Sequence, residues 1–340
     1  MNSAESIEAT PRAQRGFELK VLGRWARAAG PLIALLLLIV IGRILNPSFL
    51  TWDNVANVLT RSAFVGIICV GGTFVIVSGQ IDLSVGAMAA FIAGLMIIVI
   101  NQLAATGWAQ ELAIITGMAV GLLVGLISGL ANGILSTVGK IDSFIVTLGT
   151  MGIFRSLITF LASGGTLTLD SRVRETYRPV FYDSWLKIPI PVWVLAIVVL
   201  LGSVVLTKTR FGRYCRAVGS NAEVAHYSAI RVNRIRVVAF VVQGFCVGLA
   251  TLLYVPRLGS ASSSTGVLWE LEAITAIVVG GTALRGGSGR VWGSIVGALI
   301  LTLIGNILNL TSLISVYLNG AVQGIIILGA ALLQRSGRTR

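Results

Sequence analysis

The chain has 340 residues, of which 55% are hydrophobic and 11% charged, with a mean hydropathy of +0.90 and a formal net charge of +13. This composition excludes a disordered chain and argues against a water-soluble globular domain. The basic residues sit in short segments beside apolar runs, a pattern that orients membrane helices rather than binding nucleic acid. The fold class expected is an all-α integral membrane protein of about ten transmembrane helices, with both termini cytoplasmic.

In chain order, residues 1–27 carry Arg12, Arg15, Lys20, Arg24 and Arg27. This segment is too long, and lacks the small-residue cleavage site, for a signal peptide; it reads as a retained cytoplasmic tail. A span needs about 20 apolar residues. The candidates are Ala28–Leu45, Ser62–Gly79, Leu83–Ile100, Leu112–Val138, Ser143–Ser163, Ile188–Leu206, Val237–Pro256, Leu268–Leu284, Val291–Leu310 and Ser312–Leu333. They make a membrane domain over 28–334, interrupted by a cytoplasmic loop at 207–236 and followed by a short tail, 335–340. With ten crossings, 18 basic residues fall inside and 7 outside, and Arg155 stays within a span. The weakest span, Leu268–Leu284, is short and carries Glu270 and Glu272 near its start. If it were re-entrant, the count would be 13 against 12 and the bias would vanish. A crossing by a short or tilted helix, packed among others, is therefore expected there.

The first informative motif is Gly79-Gln80-Ile81-Asp82-Leu83-Ser84-Val85-Gly86, which sets a carboxylate between two spans. Charge so near hydrocarbon must cap, pair or lie at an interface. Asp82 or Ser84 as cap of the following helix is one reading; an ion or substrate ligand is the other. In the fourth span Gly117, Gly121, Gly125, Gly129 and Gly133 recur every four residues, a stripe that invites close helix packing. Arg155 lies mid-span, as a structural pair or a transport residue. Asn132, Gln243, Asn306, Asn319 and Gln323, with Glu272, are polar groups in spans that either line a path or join helices. A faint echo links Gly71-Gly72-Thr73 with Gly280-Gly281-Thr282 and hints at repeated halves.

The loop Thr207–Arg236 combines many cations with Phe211, Tyr214 and Ile230. Asn221 is placed to cap a short helix from Ala222. Such a basic, partly apolar segment suits either docking of a soluble partner or simple positive-inside anchoring. No Gly-x-x-x-x-Gly-Lys-Ser/Thr loop, cysteine–histidine cluster or nucleophile triad is present in the sequence. The expectation is no catalytic residue, no metal and no cofactor in this chain. The three cysteines give no disulfide framework. No relay of membrane carboxylates or histidines supports an ion- or proton-coupled carrier.

Three segments together resemble the permease subunits of bacterial monosaccharide ATP-binding cassette importers, of the ribose, xylose, galactose and arabinose type. They are the Gly79–Gly86 turn; Trp269 to Thr282 with Gly286-Gly287-Ser288-Gly289-Arg290-Val291-Trp292-Gly293; and Thr209-Arg210-Phe211-Gly212-Arg213 to Gly219-Ser220-Asn221, with Ala225 and Ile230. The resemblance implies a multi-pass inner-membrane permease that works as a homo- or heterodimer. It implies cytoplasmic ATPase subunits that bind the ATP, and a periplasmic sugar-binding protein. It assigns ATPase coupling to Arg210, Phe211, Gly212, Arg213, Gly219, Asn221, Ala225 and Ile230, and a motif turn to Gly79, Asp82, Ser84 and Gly86. Asn132, Gln243, Glu272 and Asn306 are the pathway candidates. Ser220 and Ala229 stand where the family usually has glycines, and Trp269 where a tyrosine is common. Permeases for branched-chain amino acids or nucleosides share the architecture and are the alternative.

Overall fold

The structure, a computed structural model, describes residues 30–311 together with 318, 320, 321, 324, 325 and 329. The expected tails, the last span, Asn319 and Gln323 lie outside the described residues. Among the described residues, seven helices are long and apolar enough to cross a membrane. They are α2 (Trp52–Val77), α3 (Val85–Ala105), α4 (Gln110–Thr137), α5 (Ser143–Leu161), α8 (Ile190–Lys208), α11 (Val232–Leu258) and α13 (Val291–Thr311). Each falls on one of the spans read from hydropathy. A shorter apolar helix, α1 (Gly30–Leu45), precedes them.

α2 is the central helix, buried almost continuously from Ser62 to Val77. It packs on α11, α13, α8 and α12. α4 lies along α11 and α3, and its glycine stripe makes this close approach possible. Gly117 and Gly121 face Ile100 and Met96 of α3, whereas Gly125, Gly129 and Gly133 face Gly244, Phe240 and Val237 of α11. Lipid offers no hydrophobic gain for pairing two helices, so backbone proximity and van der Waals contact hold this pair together.

At one end of the bundle, strands β1 (Thr166–Thr168) and β4 (Ser260–Ser262) pair antiparallel, beside the short helices α6 (Ser171–Tyr177) and α7 (Pro179–Tyr182). Asn101 of α3 donates to Thr168 O there at 2.8 Å. At the opposite end lie the basic helices α9 (Arg210–Ser220) and α10 (Ala222–Tyr227).

The weak span is broken. From β4 the chain descends as irregular backbone to Gly266, which packs against Gly86, and only then forms α12 (Trp269–Val279). Eleven helical residues rise about 16 Å, roughly half of a bilayer core. The extended segment supplies the rest. Non-helical backbone at membrane depth persists only where protein satisfies it. Here Arg155 donates from Nη1 to Ser263 O at 2.5 Å and to Thr265 O at 2.6 Å. Of the two sequence readings for Arg155, the structure shows the pairing one. The echo between the two Gly-Gly-Thr triplets is not positional: the first lies within α2, the second ends α12.

A leucine at Gly129 would collide with the Phe240 backbone, whereas Gly149 on α5 has open space beside its Cα. Gly129→Leu is expected to lower the stability of the solubilised chain by about 1–3 kcal/mol or more. Gly149→Leu should leave its melting temperature near that of the native chain.

Candidate functional site: a glycine junction and a buried polar turn

The three motif segments meet at the end of the bundle that carries α9 and α10. The Gly287 N–H donates to Val77 O, the last carbonyl of α2, at 2.9 Å. A Cβ on Gly219, in α9, would overlap that same carbonyl and lie 2.6 Å from Gly287 N. Gly79 (φ 78°) and Gly286 (φ 88°) pack backbone to backbone, 2.9 Å from a Cβ on the latter. Left-handed conformation favours glycine at both positions, and at Gly286 the contact distance demands it as well. Ser220, where the resembled family often has glycine, fits because its side chain lies against Gly287.

Two turns beyond, the Asp82 loop is not a cap. Ser84 is the N-cap of α3 but makes no side-chain bond to its first turn. Asp82 instead folds the loop on itself: its Oδ1 accepts from Ser84 N at 2.8 Å and Ser84 Oγ at 2.6 Å. Asn132 of α4 donates to Ser84 Oγ at 2.9 Å, and Ser143 of α5 accepts from Ile81 N at 3.2 Å. The loop is thus tied to two neighbouring helices. Burial pushes the Asp82 carboxyl up to about 6, against the pull of its Ser84 bonds, and the nearby Glu270 adds to the rise.

Gln243 of α11 and Glu270 of α12 line the same small gap as Asp82. Gly86 is required here, because a Cβ would strike Gly266 O and come within 2.6 Å of Glu270 Oε2. The pathway candidates therefore divide. Asn132 and Gln243, both fully buried, join the Asp82 cluster. Asn306 forms a reciprocal amide pair with Asn54 of α2, at 2.8 and 3.1 Å, which fastens α13 to α2. Glu272 lies on another side of α12, within the field of Arg61. None of these four lines the hollow beside Arg155.

The basic segment is built as follows. Thr209 accepts from Gly212 N at 3.3 Å and caps α9, while Phe211 stacks on Phe74 of α2 with centroids 5.8 Å apart. Gly212 sits where a Cβ would meet the Leu206 and Val205 carbonyls. Arg213 donates to Lys208 O at 3.3 Å, and Arg210 begins the helix exposed. Asn221 Oδ1 accepts from Glu223 N and Val224 N, both at 3.0 Å, so it caps α10 as its position in the sequence suggested. Ala225 is buried and Ile230 packs on the core, with Ala229 held at φ 60° between them. Val224 and Tyr227 point outward, 59% and 80% exposed.

Sequence reasoning missed a second feature. The outward stripe of α5 runs through Gly149, Gly152, Ser156 and Thr159, with no other described residue within 4 Å of a Cβ on either glycine. Near its end Arg155, Ser156, Thr159 and Ser163 line a shallow hollow of about 560 Å³. A helical spacing of small residues, three and four apart, was visible there, but hydropathy alone does not separate it from lipid-facing surface.

Comparison with known proteins follows from this geometry. Residues 54–331 match the family described as branched-chain amino acid transport system / permease component. The chain is 40% identical to the ribose import permease protein of Bacillus subtilis, over 90% of this chain and 92% of that one. It is 38% identical to the ribose import permease protein of Haemophilus influenzae, over 92% and 94%. Against the L-arabinose transport system permease protein of Escherichia coli it is 32% identical, over 90% of each.

Removing the Ser84 hydroxyl deprives Asp82 Oδ1 of a donor and leaves the Asn132 amide without its acceptor. Ser84→Ala is expected to cost about 1–3 kcal/mol, read as a lower melting temperature in detergent.

Proposed function

The chain belongs to the permease family that includes the ribose and L-arabinose import permeases, and on that premise we propose how it works as the membrane subunit of an ATP-binding cassette importer. The cargo is a monosaccharide delivered by a periplasmic binding protein. ATP is bound and hydrolysed by separate cytoplasmic subunits. The names of the relatives favour a sugar over a branched-chain amino acid or nucleoside.

One observation carries the coupling role: the basic α9–α10 segment touches, through Gly219, both the end of α2 and the α12–α13 loop. A push on α10 therefore reaches the Asp82 turn and the half-helix α12 without passing through flexible chain. The exposed Val224 and Tyr227, amid Arg210, Arg213 and Arg216, give an ATPase partner an apolar foothold with a cationic rim. Residues 207–236 are accordingly assigned as the coupling loop, and the face that bears them as cytoplasmic. The ten-span topology, with both termini on that side, belongs to the same reading and rests on the basic-residue bias of 18 to 7.

The translocation path lies between two permease copies rather than within one. Among the described residues the small and hydroxyl-bearing stripe of α5 meets no other element, and the hollow beside Arg155 is of ligand size. The ATPase subunits supply the bias for alternating access, because a ligand shifts such an equilibrium only through differential affinity for its states.

Tyr227→Ala is expected to weaken ATPase association by about 2 kcal/mol, roughly thirtyfold, measured by co-purification from membranes. Asn221→Ala should cost the fold only about 1 kcal/mol. The chain should therefore accumulate normally while sugar-stimulated ATP hydrolysis and uptake fall together. Full sugar-stimulated hydrolysis in that variant would remove the coupling role.

A further inference from the structure

Asp82 Oδ2, Gln243 Oε1 and Glu270 Oε2 are buried oxygens without a hydrogen-bond partner among the described residues. They belong to three separate elements, the α2–α3 loop, α11 and α12, and all three residues line one gap of about 10 Å³, the size of a single water. Asp82 is 6% exposed and Gln243 1%. With both acids ionised, the three oxygens only accept. Turning the Gln243 amide would offer a donor but leave two negative charges side by side, an arrangement that a low-dielectric interior penalises heavily.

We propose that Asp82 binds a proton on Oδ2, making a neutral carboxyl that donates across the gap to the oxygens of α11 and α12. The proton corrects both defects at once. It supplies the missing donor, and it leaves Glu270 as the one negative charge, with Arg155 of α5 as its nearby countercharge. A bridging water would donate two hydrogens but leave both charges in place. Among the described residues, the charged groups set against Asp82 are Glu270 and, behind it, Arg155. Its own loop contributes the Ser84 hydroxyl, already used on Oδ1. α2 contributes only Gly72, Val75 and Ile76 to the gap, α3 only Val85, and α4 reaches the loop through the Asn132 amide.

The site is linked to the junction. Asp82 is three residues from Gly79, and α12 leads into the loop bearing Gly286 and Gly287. A displacement of α9 that separates these loops alters the distance from Asp82 to Glu270 and Gln243, so proton affinity differs between the two arrangements. By linkage, the proton then favours the arrangement seen here.

The carboxyl is raised to about 6, so the folded chain binds the proton more tightly than the unfolded one. Stability is therefore highest at low pH and falls as pH rises toward that value. The test is infrared titration of the purified chain in lipid nanodiscs, for the native protein, Asp82→Asn and Glu270→Gln. The expected result is a protonated-carboxyl stretch with a midpoint near 6 that is missing in Asp82→Asn and shifted to lower pH in Glu270→Gln. Melting temperature should fall with rising pH through this range in the native chain and stay flatter in Asp82→Asn. A carboxyl that titrates only in the ordinary aspartate range overturns the proposal, and so does a band that survives Asp82→Asn. A midpoint that moves with sodium concentration instead assigns the gap to a metal ion and also overturns it. If Asp82→Asn fails to accumulate, the shift in Glu270→Gln still decides.

Discussion

The arrangement depends on a single crowded point, where the last carbonyl of α2 meets Gly219 and Gly287. A helix leaves its final carbonyls without intrahelical partners, and a bare one at this depth would be costly. The Gly287 N–H satisfies Val77 O at 2.9 Å, and no side chain fits between them and Gly219. The hydrogen bond and the missing Cβ atoms act together: the bond needs the loops to approach, and the approach needs glycine. Close packing of this kind transmits displacement instead of absorbing it. The junction can therefore be both a structural staple and the point at which an outside force enters.

Two short paths lead inward from that point. One runs through Gly79 to Asp82, the other through Gly287 back to α12. They rejoin at the gap where Asp82 and Glu270 face Gln243. The closed circuit explains why α12 is short. A continuous helix through this region would extend past Gly266 and displace α3 at Gly86, where backbone already touches backbone. Breaking the span and pinning its irregular half with Arg155 keeps α3 close and places the start of α12, with Glu270, inside the bundle.

Much of this was legible in the sequence, to different depths. Hydropathy located the seven long helices because each is a run that only lipid or a bundle core can accommodate. The α4 stripe announced a close neighbour but not that it serves two, α3 at Gly117 and Gly121 and α11 at Gly125, Gly129 and Gly133. The α10 cap was readable at Asn221 because capping is a local rule. The role of Asp82 was not: the same residue type before a helix serves as cap or as loop staple, and the choice was decided by Ser84 and Asn132, 48 residues apart. The break in the eighth span escaped for a similar reason. Apolar count sees length, and the positive φ of Leu268 and the tertiary bonds of Arg155 leave no mark on it. Asn306 looked like a pathway residue because one sequence does not reveal its partner Asn54.

The contrast between the two polar regions bears on where the solute goes. The interior cluster is sealed by α2, α11 and α12 around about 10 Å³, which no sugar can enter without separating helices that share backbone contacts. The α5 stripe is the reverse: its hydroxyls and glycines are open, its hollow is some fifty times larger, and its apolar neighbours Ile153 and Phe160 are exposed. Small polar surface facing lipid gains nothing there, whereas facing a second copy it would form a wet cleft with an apolar rim. Arg155 touches both regions, since its guanidinium fixes the loop before α12 while its side chain borders the hollow. On the proposed reading, a change in the interior circuit would alter the wall of the cleft through this one residue, and so carry a force applied at the basic face to a solute held between two copies.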